Sequence, residues 1–593
     1  MRKTAKACSL IINNNPFKLP FDGLALFLSA SISGMIVLGI YVIETIYNLS
    51  PLYSGMSGKI SLLLGFLLLT VSMYLGCKCL LFKLESRFKS FRRISDRSNT
   101  SFLLVMSSGF KGVFVLFLVC WLPYLIVRFP GNLDPDTLWQ VMQPSGLVIW
   151  SDHHPWFDTL VFYFFWMLGD LLGSHAVSLF LYGLLQAAFT AAVFSAAITY
   201  FEFVGIPNAV VRFSIGFFAL YPAIPLFAFS MAKDMLFAVI WIPFILMYIE
   251  IMRTRGKVLS SKSFFVLWVI MILLLMLTKK TGIYLVLISS IPLILLKLAN
   301  KTKIVSSIIA CSFFFSFVWS GLLLPCWGVQ KGGSAEMLSV PSQQVSLYLS
   351  YHSSELDEND WDVLESVYID PHSLSSIYQP GRADATKARW KENSTVGERL
   401  DFLKWYINAM IDDPRCYFLA AAAVTLPLYF PDYSTQGDES LLFYRDNLAS
   451  ADETDPALEQ ALIGYSDGKA SAEDIAMLLS GAYRDHTVAC ISDAFDAFIL
   501  TVMNTMPLLF SKAMFTTYIP LVVLTVIIRL RSIVSLRSLV CLVPFAVTLL
   551  TLIAGPIALP RYMVASVYSL PILVAIPFIF ITNNSNEKSV MVR

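Results

Sequence analysis

Long apolar runs separated by brief polar punctuation dominate the chain, at about 22–47, 58–82, 108–128, 176–200, 208–230, 235–252, 264–279, 282–299, 304–325, 507–530, 537–557 and 562–582. Most approach the ~20 apolar residues that a helix needs to cross ~30 Å of hydrocarbon. A helix also satisfies its own backbone where water is absent. The pattern predicts an all-α polytopic membrane protein of about twelve transmembrane helices. Composition agrees, because 56% of the 593 residues are apolar and only 14% charged, more apolar surface than a soluble core can cover. No A-x-A-like site follows the first run, so a first span is expected there and not a cleaved signal.

Basic residues orient the spans, since Lys and Arg in short loops resist translocation. They cluster at Arg2, Lys3 and Lys6, at Arg87 to Arg93, at Arg253 to Lys257, around Lys297 to Lys303, at Arg529 to Arg537, and at Lys588 and Arg593. With twelve spans all of these fall on the cytoplasmic side. Residues 156–172 (WFDTLVFYFFWMLGDLL) are apolar enough to cross, but an extra span would put Arg253 to Lys257 outside. They are therefore read as an amphipathic helix at the outer interface.

Four regions follow. Residues 1–107 hold an N-terminal cytoplasmic segment and two spans, and 108–325 form a membrane core with a first outer loop at 129–175. Residues 326–506 form an extracytoplasmic, mainly helical domain, and 507–593 the last spans and a cytoplasmic tail. The 326–506 segment holds 28 of the 41 acidic residues and only 11 of the 43 basic ones, so the outer part is acidic and the membrane part basic. Of the nine cysteines, only Cys326, Cys416 and Cys490 fall in that domain, without C-x-x-C spacing. Neither a disulfide framework nor a thiolate metal site is expected.

The candidate chemistry gathers on one side. The first outer loop, PGNLDPDTLWQ followed by SDHHPWFDTL, places Asp134, Asp136, Gln140, Asp152, His153, His154 and Asp158 within 25 positions. Ionisable groups at a membrane boundary are costly to keep and tend to be functional; the plain alternative is solvated carboxylates and Asp-Pro and His-Pro turns. Lys233-Asp234, Lys279-Lys280 and Arg561-Tyr562 fall in short outer turns. A translocated cation in a tight turn points to a bound anion, and snorkelling toward headgroups is the alternative. Carboxylates facing cations at one depth suit a lipid phosphate whose head group reacts at the outer leaflet.

The order of these features resembles the GT-C superfamily of polyprenyl-phosphate-dependent glycosyltransferases: Asp136 in the first loop, His154-Pro155 opening an interfacial helix that ends in Leu168-Gly169, and Lys233-Asp234 at the outer end of a later span. More narrowly, PGNLDPDTLWQ with DHHPWFDTL, the KKTGIY turn, LSVPSQQV and WYINAMIDDPRCYFLAA are similar to a bacterial family of large GT-C-like membrane proteins. The likeness runs from residue 108 to about 582. It implies an inverting transfer from a polyprenyl-phosphate sugar to a cell-envelope glycan, lipid or protein acceptor on the extracytoplasmic side. Asp136, with Asp134 second, is implied as the base that takes the acceptor proton. Lys233, Lys279, Lys280 and Arg561 are implied as cations facing the leaving phosphate, with Asp234 and Tyr562 beside them. His153, His154 and Gln140 would orient the donor, and Gln343 and Gln344 would read the acceptor.

No cofactor is required, since cations alone can serve a monophosphate donor; a divalent ion on His153, His154, Asp134 and Asp234 is the alternative. A polysaccharide ligase or polymerase would use the same surface but usually demands arginine-rich outer loops. A flippase or transporter would be expected to carry polar groups near the midplane, whereas these sit at one face. Nothing in the pattern points to nucleic acid.

Overall fold

A computed structural model describes residues 21–53, 55–91, 108–431, Leu442, parts of 460–479, and 486–581. Arg2, Lys3, Lys6, Arg92, Arg93, Lys588 and Arg593, used above for orientation, lie outside the described residues. Among those residues, eight helices are long and apolar enough to cross a membrane: Gly23–Tyr47, Met56–Lys89, Gly109–Val127, His175–Val204, Lys233–Arg253, Lys301–Cys326, Thr487–Thr505 and Pro560–Ile579. All but Thr487–Thr505 coincide with predicted spans. The remaining predicted spans form shorter apolar helices, Asn208–Leu220, Lys262–Thr278, Gly282–Leu295, Met514–Arg529 and Arg537–Ile553. Local chemistry shortens them: Tyr221, ahead of Pro222, is extended (ψ 114°) and stops the helix at Leu220, because the proline ring clashes with helical backbone before it. The chain is a membrane protein built of helices.

The elements that position the site are α1 (Gly23–Val42), α2 (Met56–Ser90), α3 (Ser108–Val127), β1 (Asn132–Leu133), α4 (Pro135–Met142), α5 (Trp156–Leu172), α6 (His175–Val204), β2 (Ser230–Met231), α7 (Lys233–Arg253) and α8 (Lys262–Thr278). Helix α7 is apolar on every side and is buried from Met235 to Met252 with few breaks, as a helix enclosed by others must be. It packs on α6, α8 and the helix Val564–Tyr568. Helices α2 and α3 lie at the edge and expose Leu63, Leu67, Leu68, Val71, Val119 and Ile126, an apolar surface that suits lipid.

The 21 residues of α7 rise ~30 Å at ~1.5 Å each, so Lys233 and Arg253 mark opposite ends of the bundle. At the Arg253 end the basic loops meet: the Ala299 N–H donates to the Arg255 carbonyl (2.8 Å) and Lys303 Nζ to the Leu259 carbonyl (2.7 Å). The acidic and basic groups of the loops around 134, 233 and 561 all sit at the Lys233 end.

Helix α5 is helical over the predicted range. Trp156, Thr159, Phe162, Trp166 and Gly169 face inward at i+3 and i+4 steps, while Leu160, Phe164, Met167 and Leu171 are exposed. Its outward face is apolar, a better match to lipid than to water. Helix Thr487–Thr505 falls in the segment read as soluble. Its contacts are Phe495 with Tyr124, Asp496 with Arg128 (2.5 Å), and Ile499 and Met503 with Leu226 and Phe510. Tyr124, Arg128 and Leu226 immediately precede the strands at the Lys233 end. These contacts bring its C-terminal half, Phe495 to Met503, to the Lys233 end of the bundle.

The described part of 326–506 is mainly helical, as patterned. Ser339–His352 (α9), Val396–Asp412 (α10) and Pro414–Val424 (α11) close over Val345, Leu349, Tyr368, Trp390, Phe402 and Tyr417. The domain is tied to the membrane helices by Tyr47 Oη donating to the Ala423 carbonyl (3.1 Å) and by the Ala383 N–H donating to the Pro556 carbonyl (2.8 Å).

Candidate functional site

Two chain segments far apart in sequence are aligned by the smallest possible sheet. Strands β1 and β2 pair in parallel, Asn132 with Ser230 and Leu133 with Met231. The ladder brings the next residues, Asp134 and Asp136 on one side and Lys233 and Asp234 on the other, to one level. Irregular backbone inside an apolar bundle needs partners. Gln186 Nε2 supplies them, donating to the carbonyls of Ala228 and Ser230 (2.9 Å each), and Thr137 Oγ1 donates to that of Met231 (2.6 Å). Gly131, at φ 138°, leads into β1 with its missing Cβ against the Phe229 carbonyl, a conformation glycine alone adopts without strain.

Asp134 caps α4, accepting the Asp136 N–H at 3.0 Å, with Pro135 at the first helical position. Both choices suit a helix start, so the Asp-Pro pair is a cap and not merely a turn. Its other role is electrostatic, since Arg561 Nη1 makes a close ion pair with it. Asp136 Oδ2 accepts from Lys233 Nζ at 2.8 Å and from Arg561 Nη2 at 2.9 Å. Asp234 faces Lys279 Nζ at 3.3 Å and Arg561 Nε at 3.9 Å. Arg561, on the single turn Pro560–Met563, thus joins three carboxylates. Tyr562 lies beside it, its ring centroid 5.2 Å from the guanidinium and 6.0 Å from Lys279 Nζ.

His154 completes the group. Its Nδ1 is 2.7 Å from Lys233 Nζ and its Nε2 is 3.9 Å from Asp136 Oδ2. An ammonium can only donate, so Nδ1 accepts and the Nε2–H points toward Asp136. Burial, and next the Lys233 charge, hold the imidazole well below its ordinary value, in its neutral form. Burial alone would raise Asp136, but Arg561 and Lys233 outweigh it and hold the carboxyl well below the usual carboxylate range. Trp139, one turn along α4, packs edge-on against His154 and His153 (5.1 and 5.5 Å).

Lys280 and His153 form an annex. Lys280 Nζ is 3.5 Å from Asp152 Oδ1, which also accepts the Gly332 N–H. Ser151 bridges Gln330, so the first loop is stitched to the start of the large domain. A Cβ at Gly332 would sit 2.7 Å from His153 Cα, so this crossing needs glycine. His153 is held below its ordinary value by burial, opposed by Glu336 at 3.9 Å.

The structure therefore brings together Asp134, Asp136, His154, Lys233, Asp234, Lys279, Arg561 and Tyr562, with His153 and Lys280 adjoining. Gln140 stands behind them, its Nε2 donating to Thr159 Oγ1 (2.8 Å) to fasten α4 to α5. Gln343 and Gln344 do not join. Gln343 Nε2 donates to the carbonyls of Gln379 (2.9 Å) and Arg382 (2.5 Å), and Gln344 Nε2 to that of Tyr417 (2.9 Å). Both amides hold the domain's own backbone. The divalent-ion alternative finds its four residues already engaged with cations or with one another, the Asp134 and Asp234 carboxylates facing Arg561 and Lys279.

One residue of the loop gains importance. Asp158 is fully buried on α5, and neither carboxyl oxygen has a hydrogen-bond partner. Burial pushes it well above the ordinary carboxylate range, Lys233 opposing and Asp234 adding. A carboxyl with a strengthened hold on its proton thus adjoins the ion-pair cluster. Asp158 shares DHHPWFDTL with Asp152, and nothing in that run marks which carboxylate is left without a partner.

Residues 139–425 match the model of a family of unknown function (DUF6020). The match takes in His153, His154, Lys233 and Lys280 but neither Asp136 nor Arg561. No curated protein and no solved structure matches the chain. What the chain is similar to is thus a family whose own description assigns no activity.

Proposed function

We propose that the protein is a membrane glycosyltransferase that moves a sugar from a polyprenyl-phosphate donor to a cell-envelope acceptor at the extracytoplasmic face, with inversion. The observation that carries the reading is the meeting of Asp136 Oδ2 with both Lys233 and Arg561 within hydrogen-bond distance, at the bundle end opposite the basic loops. A carboxylate and two cations at one point are what a sugar–phosphate linkage needs: a base for the incoming hydroxyl and fixed positive charge for the departing phosphate.

In this reading the acceptor oxygen attacks the anomeric carbon as Asp136 takes its proton, and the bond to phosphate breaks to leave a polyprenyl phosphate dianion. Lys233 and Arg561 receive that charge, with Lys279 and Lys280 behind them. Neutral His154 directs its Nε2–H into the same space and can hold a donor oxygen without competing for the proton. The apolar outward face of α5 lies against the lipid from which the donor arrives.

The test is to incubate the purified protein with a panel of polyprenyl-phosphate sugars and measure release of free polyprenyl phosphate. Release from one member of the panel, dependent on Asp136, is the expected result. Release from none of them, with the protein folded and an acceptor extract present, overturns the reading.

A further inference from the structure

A second cluster lies in the 326–431 domain and is independent of the site above. We propose that His352, Asp413 and Cys416 bind a thiophilic divalent cation of the zinc class where α9 ends and α11 begins. One donor atom from each lies within 4.8 Å of the other two. Ligands around a tetrahedral zinc at ~2.0–2.3 Å stand ~3.3–3.8 Å apart. The His352 Nε2 to Asp413 Oδ2 distance, 3.1 Å, is close to that spacing, and Cys416 Sγ lies within 4.8 Å of both.

Two further features fit a ligand set better than a chance contact. Asp413 caps α11, its Oδ1 accepting the N–H groups of Arg415 (3.0 Å) and Cys416 (3.1 Å), so the carboxylate is fixed with Oδ2 turned to the histidine. Behind the ring, Glu355 Oε2 is 2.9 Å from Nδ1. A carboxylate on the far nitrogen is the usual device that orients a metal-bound histidine. With Nδ1–H donated to Glu355, a neutral ring would point its Nε2 lone pair straight at Asp413. That contact is repulsive unless a positive centre stands between them, either a proton or a metal ion.

The exchange balances. In the metal-free protein that centre is a proton on Nε2, the ring being held between the Glu355 and Asp413 carboxylates, and Cys416 is a thiol. Binding the divalent ion releases both protons and leaves a neutral imidazole, a thiolate and a carboxylate on the metal, with a fourth position open. The sequence hides the set because His352 stands 61 positions from Asp413, on a different helix, without paired cysteines.

The experiment uses the full chain in detergent, stripped by a chelator and titrated with Co²⁺ alone. One equivalent should bind with a sulfur-to-cobalt charge-transfer band and proton release, Zn²⁺ should displace it, and affinity should rise with pH. Cys416→Ser should abolish the band, and Glu355→Gln should weaken binding ~10–100-fold. Because Cys416 is buried, His352→Gln at the partly exposed ring is the second variant, and it too should lose the site. Absence of the band in the wild-type chain, or its persistence in both Cys416→Ser and His352→Gln, overturns the proposal.

Discussion

Replacing Asp136 by Asn keeps the shape of the side chain and removes the charge that Lys233 and Arg561 share. Each of those contacts, at 2.8 and 2.9 Å, is a charge-assisted hydrogen bond of the kind worth ~1.5–3 kcal/mol. The loss is partial on three counts. The Asn oxygen still accepts one bond, Lys233 keeps His154 and Arg561 keeps Asp134, and a fifth of the Asp136 side chain is exposed. A destabilisation of ~2–3 kcal/mol is therefore expected, read by denaturant or thermal unfolding in detergent. Affinity for polyprenyl phosphate should move the other way, because a competitor for both cations has gone; ~1.4 kcal/mol of relieved competition is about tenfold. Turnover, on the proposed reading, should fall ~10²–10⁴-fold, the usual contribution of a general base. The opposite signs of stability and affinity are the point of the experiment. A purely structural Asp136 would lower both together and leave turnover per folded molecule intact, and that result would refute the assignment.

Lys233→Ala and Arg561→Ala should each weaken binding of polyprenyl phosphate by ~1.5–3 kcal/mol, or roughly 10–150-fold; unchanged affinity in both, by equilibrium binding, would mean these cations serve only the fold. His154 is held below its unfolded value of ~6.5, so the unfolded chain binds the extra proton and stability falls as pH drops below ~6.5, by up to ~1.4 kcal/mol per pH unit. His154→Gln should flatten that slope between pH 7 and 5, and unfolding midpoints with an unaltered slope would contradict the neutral-ring assignment. Asp158, raised by burial, binds its proton more tightly folded than unfolded, so it costs stability increasingly as pH climbs above ~4 toward its folded value. Asp158→Asn should therefore be more stable than wild type at pH 7; a less stable variant would show that an ionised Asp158 is needed by Lys233.

Much of the architecture was legible because lipid imposes a simple rule on sequence. Every predicted span is helical, and α5 begins at Trp156 as its His-Pro entry implies, but it runs through Leu168-Gly169 and ends at Leu172, before the left-handed Gly173. The lengths of the shorter helices were not legible, because runs such as 208–230 are continuous in hydropathy while a single Tyr221-Pro222 step breaks the backbone. Helix Thr487–Thr505 was missed for the converse reason: Asp493 and Asp496 dilute its apolar pattern, and Asp496 is paired with Arg128, 368 positions away. At the site, the residue types in the first loop and in three short turns named the cluster. The pairing that makes it one site depends on a two-residue ladder between segments 97 positions apart, too short to leave a strand signature. That Gln343 and Gln344 donate to their own domain's carbonyls was not legible, because an adjacent polar pair in a helix looks the same whichever partner it faces. Asp158 could not be ranked, since nothing in DHHPWFDTL tells which carboxylate lacks a partner.

The pairing of the site's charges also bears on how a base could work there. Lys233 and buried Arg561 are held by Asp136, half-buried Lys279 by Asp234 and the more exposed Lys280 by Asp152, and the deeper of these cations need such partners at the end of an apolar bundle. So paired, Asp136 is a poor base, because its proton affinity is depressed far below the operating pH. A lipid phosphate that draws Lys233 and Arg561 to itself takes away the charges that depress it, and what remains is burial, which raises a carboxyl. Donor binding would then deliver the electrophile and strengthen the base in one event, and the loop would be inert toward acceptor or water while no donor is bound. The acid limb of the rate should accordingly lie higher in kcat, which reports the bound complex, than in kcat/KM, which reports the free protein. Coincident limbs would mean that Asp136 keeps its cations throughout, and the role of base would pass to another group in the loop.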